Sequence, residues 1–191
     1  MNKFESKKEQ FAKPQRRKTS LYIGIVLAVV VAGAAIFLVS NQGAEDSYFG
    51  DSVADARSYI GKLVSMTQIE PEIKDSSVVI PLEEVDSNSI VYFEVENDEN
   101  ELVPLMAYIT PTGRLFVGSS MCEPCRGRKF SLAGETMVCD TCKTTYDIET
   151  HEFISGVPAC GSLPPVNMNP IVEEGNVVVD YNEILSWRAR V

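Results

Sequence analysis

The chain has 191 residues, 45% of them apolar and 23% charged, with a net charge of −10. This length accommodates one domain of ordinary size beside a short tail. The acidic surplus excludes nucleic acid as a partner, because phosphates need a basic surface.

Residues 1–20 form a basic tail, with seven basic groups against two acidic ones. Residues 21–39, LYIGIVLAVVVAGAAIFLV, carry no charge. As a helix, a run of that length reaches roughly 28 Å, close to the thickness of a bilayer's hydrocarbon core. A backbone crossing lipid must satisfy its own hydrogen bonds, so the spacing predicts a transmembrane helix in contact with membrane lipid. Arg16, Arg17 and Lys18 precede it, whereas residues 40–51 hold Glu45, Asp46 and Asp51 and no Lys or Arg. The positive-inside rule then places the tail in the cytoplasm and the body outside it, in a single-pass arrangement at a cell membrane. A cleaved signal peptide is the competing reading. The run is longer than an ordinary signal core, and no small-x-small site or lipobox cysteine follows it. The expected organisation is a cytoplasmic tail (1–20), a transmembrane helix (21–39), a spacer (40–51) and an extracytoplasmic domain (52–191).

Ser52 to Met66 follows a helical pattern, with Val53, Ala56, Tyr59, Ile60, Leu63 and Val64 on one stripe and Ser52 with Asp55 as a capping pair. Strands are expected at Val78–Leu82 and Ser89–Val95, with Asp86-Ser87-Asn88 as the turn between them. Residues 97–101 read as a charged turn. Strands Leu102–Ile109 and Arg114–Val117 bracket Thr110-Pro111-Thr112-Gly113, a hairpin signal. Pro104 marks the first of these as an edge strand. Asn176–Tyr181 reads as a last strand, and Glu183–Trp187 as a closing turn of helix or strand. The fold class is therefore a mainly β (α+β) exported domain, preceded by one N-terminal membrane helix.

The chemistry gathers in the five cysteines, Cys122, Cys125, Cys139, Cys142 and Cys160, spaced C-x2-C-x13-C-x2-C-x17-C. Residues 129–132 and 136–138 flank Ala133-Gly134-Glu135 as a hairpin that returns the second pair beside the first. Four thiolates, Cys122, Cys125, Cys139 and Cys142, then converge in a zinc-ribbon-like site. That site suits zinc, a single iron or an iron–sulfur cluster. Gly127 is expected to take the positive-φ bend of the first loop, and Arg126, Arg128 and Lys129 to offset thiolate charge. Disulfides are the alternative outside the cytoplasm, but five is an odd number, and neighbouring-pair bridges would close loops too short to remove much chain entropy. Cys160, in the small-residue loop Gly156 to Pro165, is a candidate ligand, an auxiliary thiol or a buried apolar residue. His151 is the sole histidine, which excludes a Rieske centre; its polar neighbours point to a solvated turn. Met121 and Met137 read as filler. No catalytic triad, phosphate loop or spaced carboxylate pair is present, so an enzyme with its own substrate is not expected.

The segments CEPC, KFSLAGETMV, CDTCKTTY and ACGSLPP, within a layout running from Val78 to Leu185, resemble the FtrD-like family of membrane iron–sulfur proteins. Pro158-Ala159 stands where that family has two glycines, and Gly161-Ser162 where it has Asn-Pro. The resemblance implies iron–sulfur or related metal binding, and electron transfer linked to ferrous iron uptake beside a membrane iron-transport or redox partner. A structural zinc ribbon in a transport complex and a thiol–disulfide redox protein are the other classes. The last lacks the strand-to-helix setting of thioredoxin-like sites.

Overall fold

The computed structural model describes residues 49–191. The membrane helix expected at 21–39, the tail before it and most of the spacer lie outside the described residues. Among the described residues no helix is long and apolar enough to cross a membrane.

In chain order the elements are β1 (Leu63–Ser65), β2 (Thr67–Gln68), β3 (Glu72–Lys74), β4 (Ser77–Pro81), α1 (Leu82–Asn88), β5 (Ile90–Glu96), β6 (Leu102–Ile109) and β7 (Leu115–Ser119). A 3-10 turn (Glu123–Cys125) follows, then β8 (Phe130–Ala133), β9 (Thr136–Cys139), β10 (Thr145–Asp147), β11 (Phe153–Ser155) and α2 (Pro158–Gly161). The chain closes with β12 (Ile171–Glu173), β13 (Asn176–Asp180) and α3 (Tyr181–Ser186). These strands form three sheets, ordered β12-β13-β4-β3, β2-β5-β6-β7 and β1-β8-β9-β10-β11.

Alternation along the strands assigns each sheet its place. In the β2-β5-β6-β7 sheet, Val91, Phe93, Leu105, Ala107, Ile109 and Val117 enter a mainly aliphatic core with Val78 and Ile80 of β4, Val177 and Val179 of β13, Val85 of α1 and Ile184 of α3. Their neighbours Ile90, Met106, Tyr108 and Phe116 enter a second core with Phe130 and Leu132 of β8, Met137 of β9 and Tyr146 of β10. The β2-β5-β6-β7 sheet is thus the shared middle layer. A strand buried on both faces reads as a continuous apolar run rather than an alternating one, and LVPLMAYI of β6 does so.

The two hairpins anticipated in the sequence form. β6 and β7 pair through Ile109↔Leu115 around Thr110–Gly113, and β8 and β9 pair from Ala133↔Thr136 to Phe130↔Cys139. Residues 97–101 do turn: the Asn97 carboxamide oxygen accepts from the N–H groups of Glu99 and Glu101, both at 2.9 Å.

Three local expectations are overturned. Residues 52–62 are not helical, because the N–H groups of Val53, Ala54 and Arg57 go to the β6–β7 turn. Val53 and Arg57 donate to the Gly113 and Pro111 carbonyls, both at 2.9 Å, and residues 63–65 then pair with β8. A Cβ on Gly113 would stand 2.1 Å from the Ala54 carbonyl oxygen, so this docking requires glycine. Asp86, Ser87 and Asn88 lie inside α1 rather than in a turn; Ser87 Oγ donates to the Glu83 carbonyl at 2.7 Å and Asn88 Nδ2 to that of Glu84 at 2.8 Å. Pro104 sits in a central strand, not at an edge. Its carbonyl accepts from the Ser120 N–H at 2.8 Å on the side away from β5, just past the end of β7. The ring nitrogen faces the same side, away from β5, so the β5–β6 ladder needs no N–H from it.

Candidate metal centre

Two loops of similar geometry supply four of the thiols. In the first, the Cys122 N–H donates to the Gly127 carbonyl at 2.7 Å; in the second, the Cys139 N–H donates to that of Thr144 at 2.9 Å. In both, the residue after the second cysteine is left-handed, Arg126 at φ 59° and Lys143 at φ 60°. The duplication visible as two C-x2-C units is therefore a duplication of backbone. The left-handed residue is Arg126, not Gly127 as expected. Gly127 serves close approach instead: a Cβ there would lie 2.6 Å from Thr141 Oγ1 and 3.0 Å from Cys139 Sγ. The β8–β9 hairpin carries the second loop back against the first.

The fifth thiol arrives on α2, whose Cys160 carbonyl accepts from the Tyr146 hydroxyl at 2.8 Å. Cys122, Cys125, Cys142 and Cys160 place their sulfurs all within 4.8 Å of one another. Cys122 Sγ and Cys142 Sγ are 3.7 Å apart. Cys139 Sγ stands outside that mutual group but 3.8 Å from Cys125 Sγ. The spacing picked out Cys139 as the fourth member; in the folded chain Cys160 completes the mutual set and Cys139 flanks it.

Burial governs the protonation of these thiols. It pushes Cys122 far above the ordinary thiol range, reinforced by Cys125 and Cys160. It pushes Cys139 up to about 12, against the pull of the Cys142 and Thr141 N–H groups. Cys160 is raised by the same cause. At Cys142 burial is outweighed by the Thr144 hydroxyl, 3.1 Å from its sulfur, and the Thr144 N–H, and the thiol drops to about 6. Buried thiols that resist ionising side by side are relieved by a cation, which makes deprotonation favourable.

The donor set fits such a cation. A tetrahedral ion with metal–sulfur bonds of about 2.3 Å sets its sulfurs roughly 3.8 Å apart, and Cys122 and Cys142 already have this separation. Four soft thiolates suit zinc, a single iron or an iron–sulfur cluster.

The basic residues near the first loop have other partners: Arg126 Nη2 donates to the Val191 carbonyl, Arg128 pairs with Glu94 at 3.3 Å, and the Lys129 ammonium stands 5.1 Å from the Tyr92 ring centroid. His151 is not solvated, as its polar neighbours suggested, but buried. Its Nε2 is 2.7 Å from the Tyr108 hydroxyl, with Phe49 and Phe116 rings beside it. Met121 and Met137 are buried. Sequence reasoning missed Glu123, fully buried between the first two cysteines and paired with Arg190 at 2.7 Å. The charged letter inside CEPC was the available signal; nothing local marks Arg190.

A family model described as membrane iron-sulfur containing protein FtrD-like matches residues 85–191. Comparison with curated proteins and with solved structures gives no match.

Proposed function

Because the chain belongs to the FtrD-like family of membrane iron–sulfur containing proteins, with a match that takes in all five cysteines, we propose that its thiols hold a redox-active iron centre that passes electrons in membrane iron handling. The observation that carries this reading is the convergence of Cys122, Cys125, Cys142 and Cys160 within 4.8 Å. These four are the proposed ligands, with Cys139 as the flanking alternative. Bound iron supplies one-electron chemistry. The chain supplies thiolates, N–H and hydroxyl donors to them, and a largely buried pocket that limits water. The partner is a membrane iron-transport or redox protein. Residues 21–39 anchor the chain by their apolarity, with the acidic domain outside the cytoplasm, and tethering raises the effective concentration of the domain at that partner.

Structural zinc is the second reading, because the Cys122–Cys142 separation of 3.7 Å suits a tetrahedral single ion, zinc as well as iron. Anaerobic purification of the full chain in detergent, with metal and acid-labile sulfide analysis and a visible spectrum, separates the two. Stoichiometric iron with thiolate-to-iron absorption supports the first reading. One colourless zinc supports the second, and a metal-free protein with disulfides removes both. Cys160→Ser is expected to lower bound metal more than Cys139→Ser; the reverse order would restore the ligand set read from spacing.

A further inference from the structure

Arg190 touches two of the three segments that bear the thiols, the Cys122–Cys125 loop and the loop after Cys160. Its Nε donates to Glu123 Oε1 at 2.8 Å, its Nη2 stands 2.7 Å from the same oxygen, and its backbone N–H donates to Glu123 Oε2. The same Nη2 donates to the Pro164 carbonyl at 2.7 Å. Glu123 lies between Cys122 and Cys125, and Pro164 lies four residues after Cys160. Residues 187–190 are themselves held, because Trp187 packs against the aliphatic core and its N–H donates to the Ile184 carbonyl at 3.1 Å.

We infer that Arg190 is the positioning residue of the thiolate site, a clasp that fixes the first cysteine loop against the loop bearing Cys160. The inference rests on the reading that these thiols bind a metal. The physical argument has two parts. The guanidinium fork meets a carboxylate and a carbonyl at fixed angles, which a flexible ammonium does not reproduce. Glu123 is fully buried while Arg190 is partly exposed, so losing the guanidinium removes the counter-charge of a buried carboxylate in the first cysteine loop. Either effect lets the first loop swing and separates Cys122 and Cys125 from Cys160. Residues that hold ligands in place change metal affinity by about 10–100-fold when replaced.

The test uses the full chain in detergent, reduced and metal-free, with Co(II) as the probe. Thiolate-to-cobalt absorption reads the ligand set, and competition with a chelator reads affinity. The expected result is that Arg190→Gln binds Co(II) at least tenfold more weakly than wild type and releases it faster, and that Arg190→Lys recovers part of the loss. Circular dichroism checks that each variant is folded. A folded Arg190→Gln with wild-type affinity, release rate and spectrum would overturn the clasp. If Arg190→Gln does not fold, Arg190→Lys decides, since wild-type binding by that variant also overturns it. Absence of thiolate–cobalt bands in the wild-type chain is a separate result, which removes the proposed metal function and this inference with it.

Discussion

His151 is 3% exposed, and burial holds its imidazole down at about 4. The Pro165 carbonyl and Asp147 pull the other way without prevailing. The unfolded chain therefore binds a proton near pH 6.5 that the folded chain refuses until about pH 4. Stability from this residue is fully present above pH 6.5 and is lost as pH falls toward 4, by up to about 3 kcal/mol. Denaturant unfolding of wild type and His151→Gln at pH 7 and pH 4.5 checks this: the difference between the two proteins should change with pH in that direction. Gly127 gives a second prediction. Alanine there meets Thr141 Oγ1 and Cys139 Sγ, and overpacking of this kind costs about 1–3 kcal/mol, measurable as a lower denaturation midpoint. Both residues show the limit of local reading. Polar neighbours in sequence made His151 look exposed, and only tertiary contacts with Phe49, Tyr108 and Phe116 decide otherwise. Gly127 is needed for close approach rather than for a positive φ, and crowding by the opposite loop is not written in the residues beside it.

At the scale of elements, strands with strong apolar runs were legible and the segments around them were not. β6 and the β8–β9 hairpin carry their own pattern and turn residues. Residues 52–62 carry a helical stripe, yet the hairpin carbonyls at Pro111 and Gly113 claim their N–H groups, and propensity is a weak prior against such contacts. The two-faced strands give the third prediction. Phe116→Ala and Leu105→Ala empty opposite cores, so each should cost on the order of 2–5 kcal/mol. Ile171→Ala on exposed β12 should stay within about 0.5 kcal/mol. Urea titrations of the three variants test this; a small loss at both buried positions would contradict a middle sheet covered on each face.

For the whole molecule, the thiols belong to one core and not to the other. Cys122, Cys139 and Cys160 are packed with Phe130, Leu132, Met137 and Tyr146, while the aliphatic core holds no cysteine. Removing the proposed metal should therefore raise amide hydrogen exchange in β8, β9, β10 and the two cysteine loops, and leave β4 and β13 protected, as mass spectrometry of the exchanged chain would show. Uniform loss of protection would mean that the two cores open as a single cooperative unit. The division into layers was invisible beforehand, since it depends on which strands a sheet shares rather than on any one segment.

The middle sheet carries a further consequence. If β6 slipped by one residue against its neighbours, each side chain would change faces. Tyr108 and Met106 would enter the mainly aliphatic side, leaving the Tyr108 hydroxyl without His151, while Leu105 and Ala107 would be too small to fill the aromatic side. Two chemically unlike interiors thus act as a double lock on strand alignment, so an error that a one-sided sheet pays for once is here penalised twice.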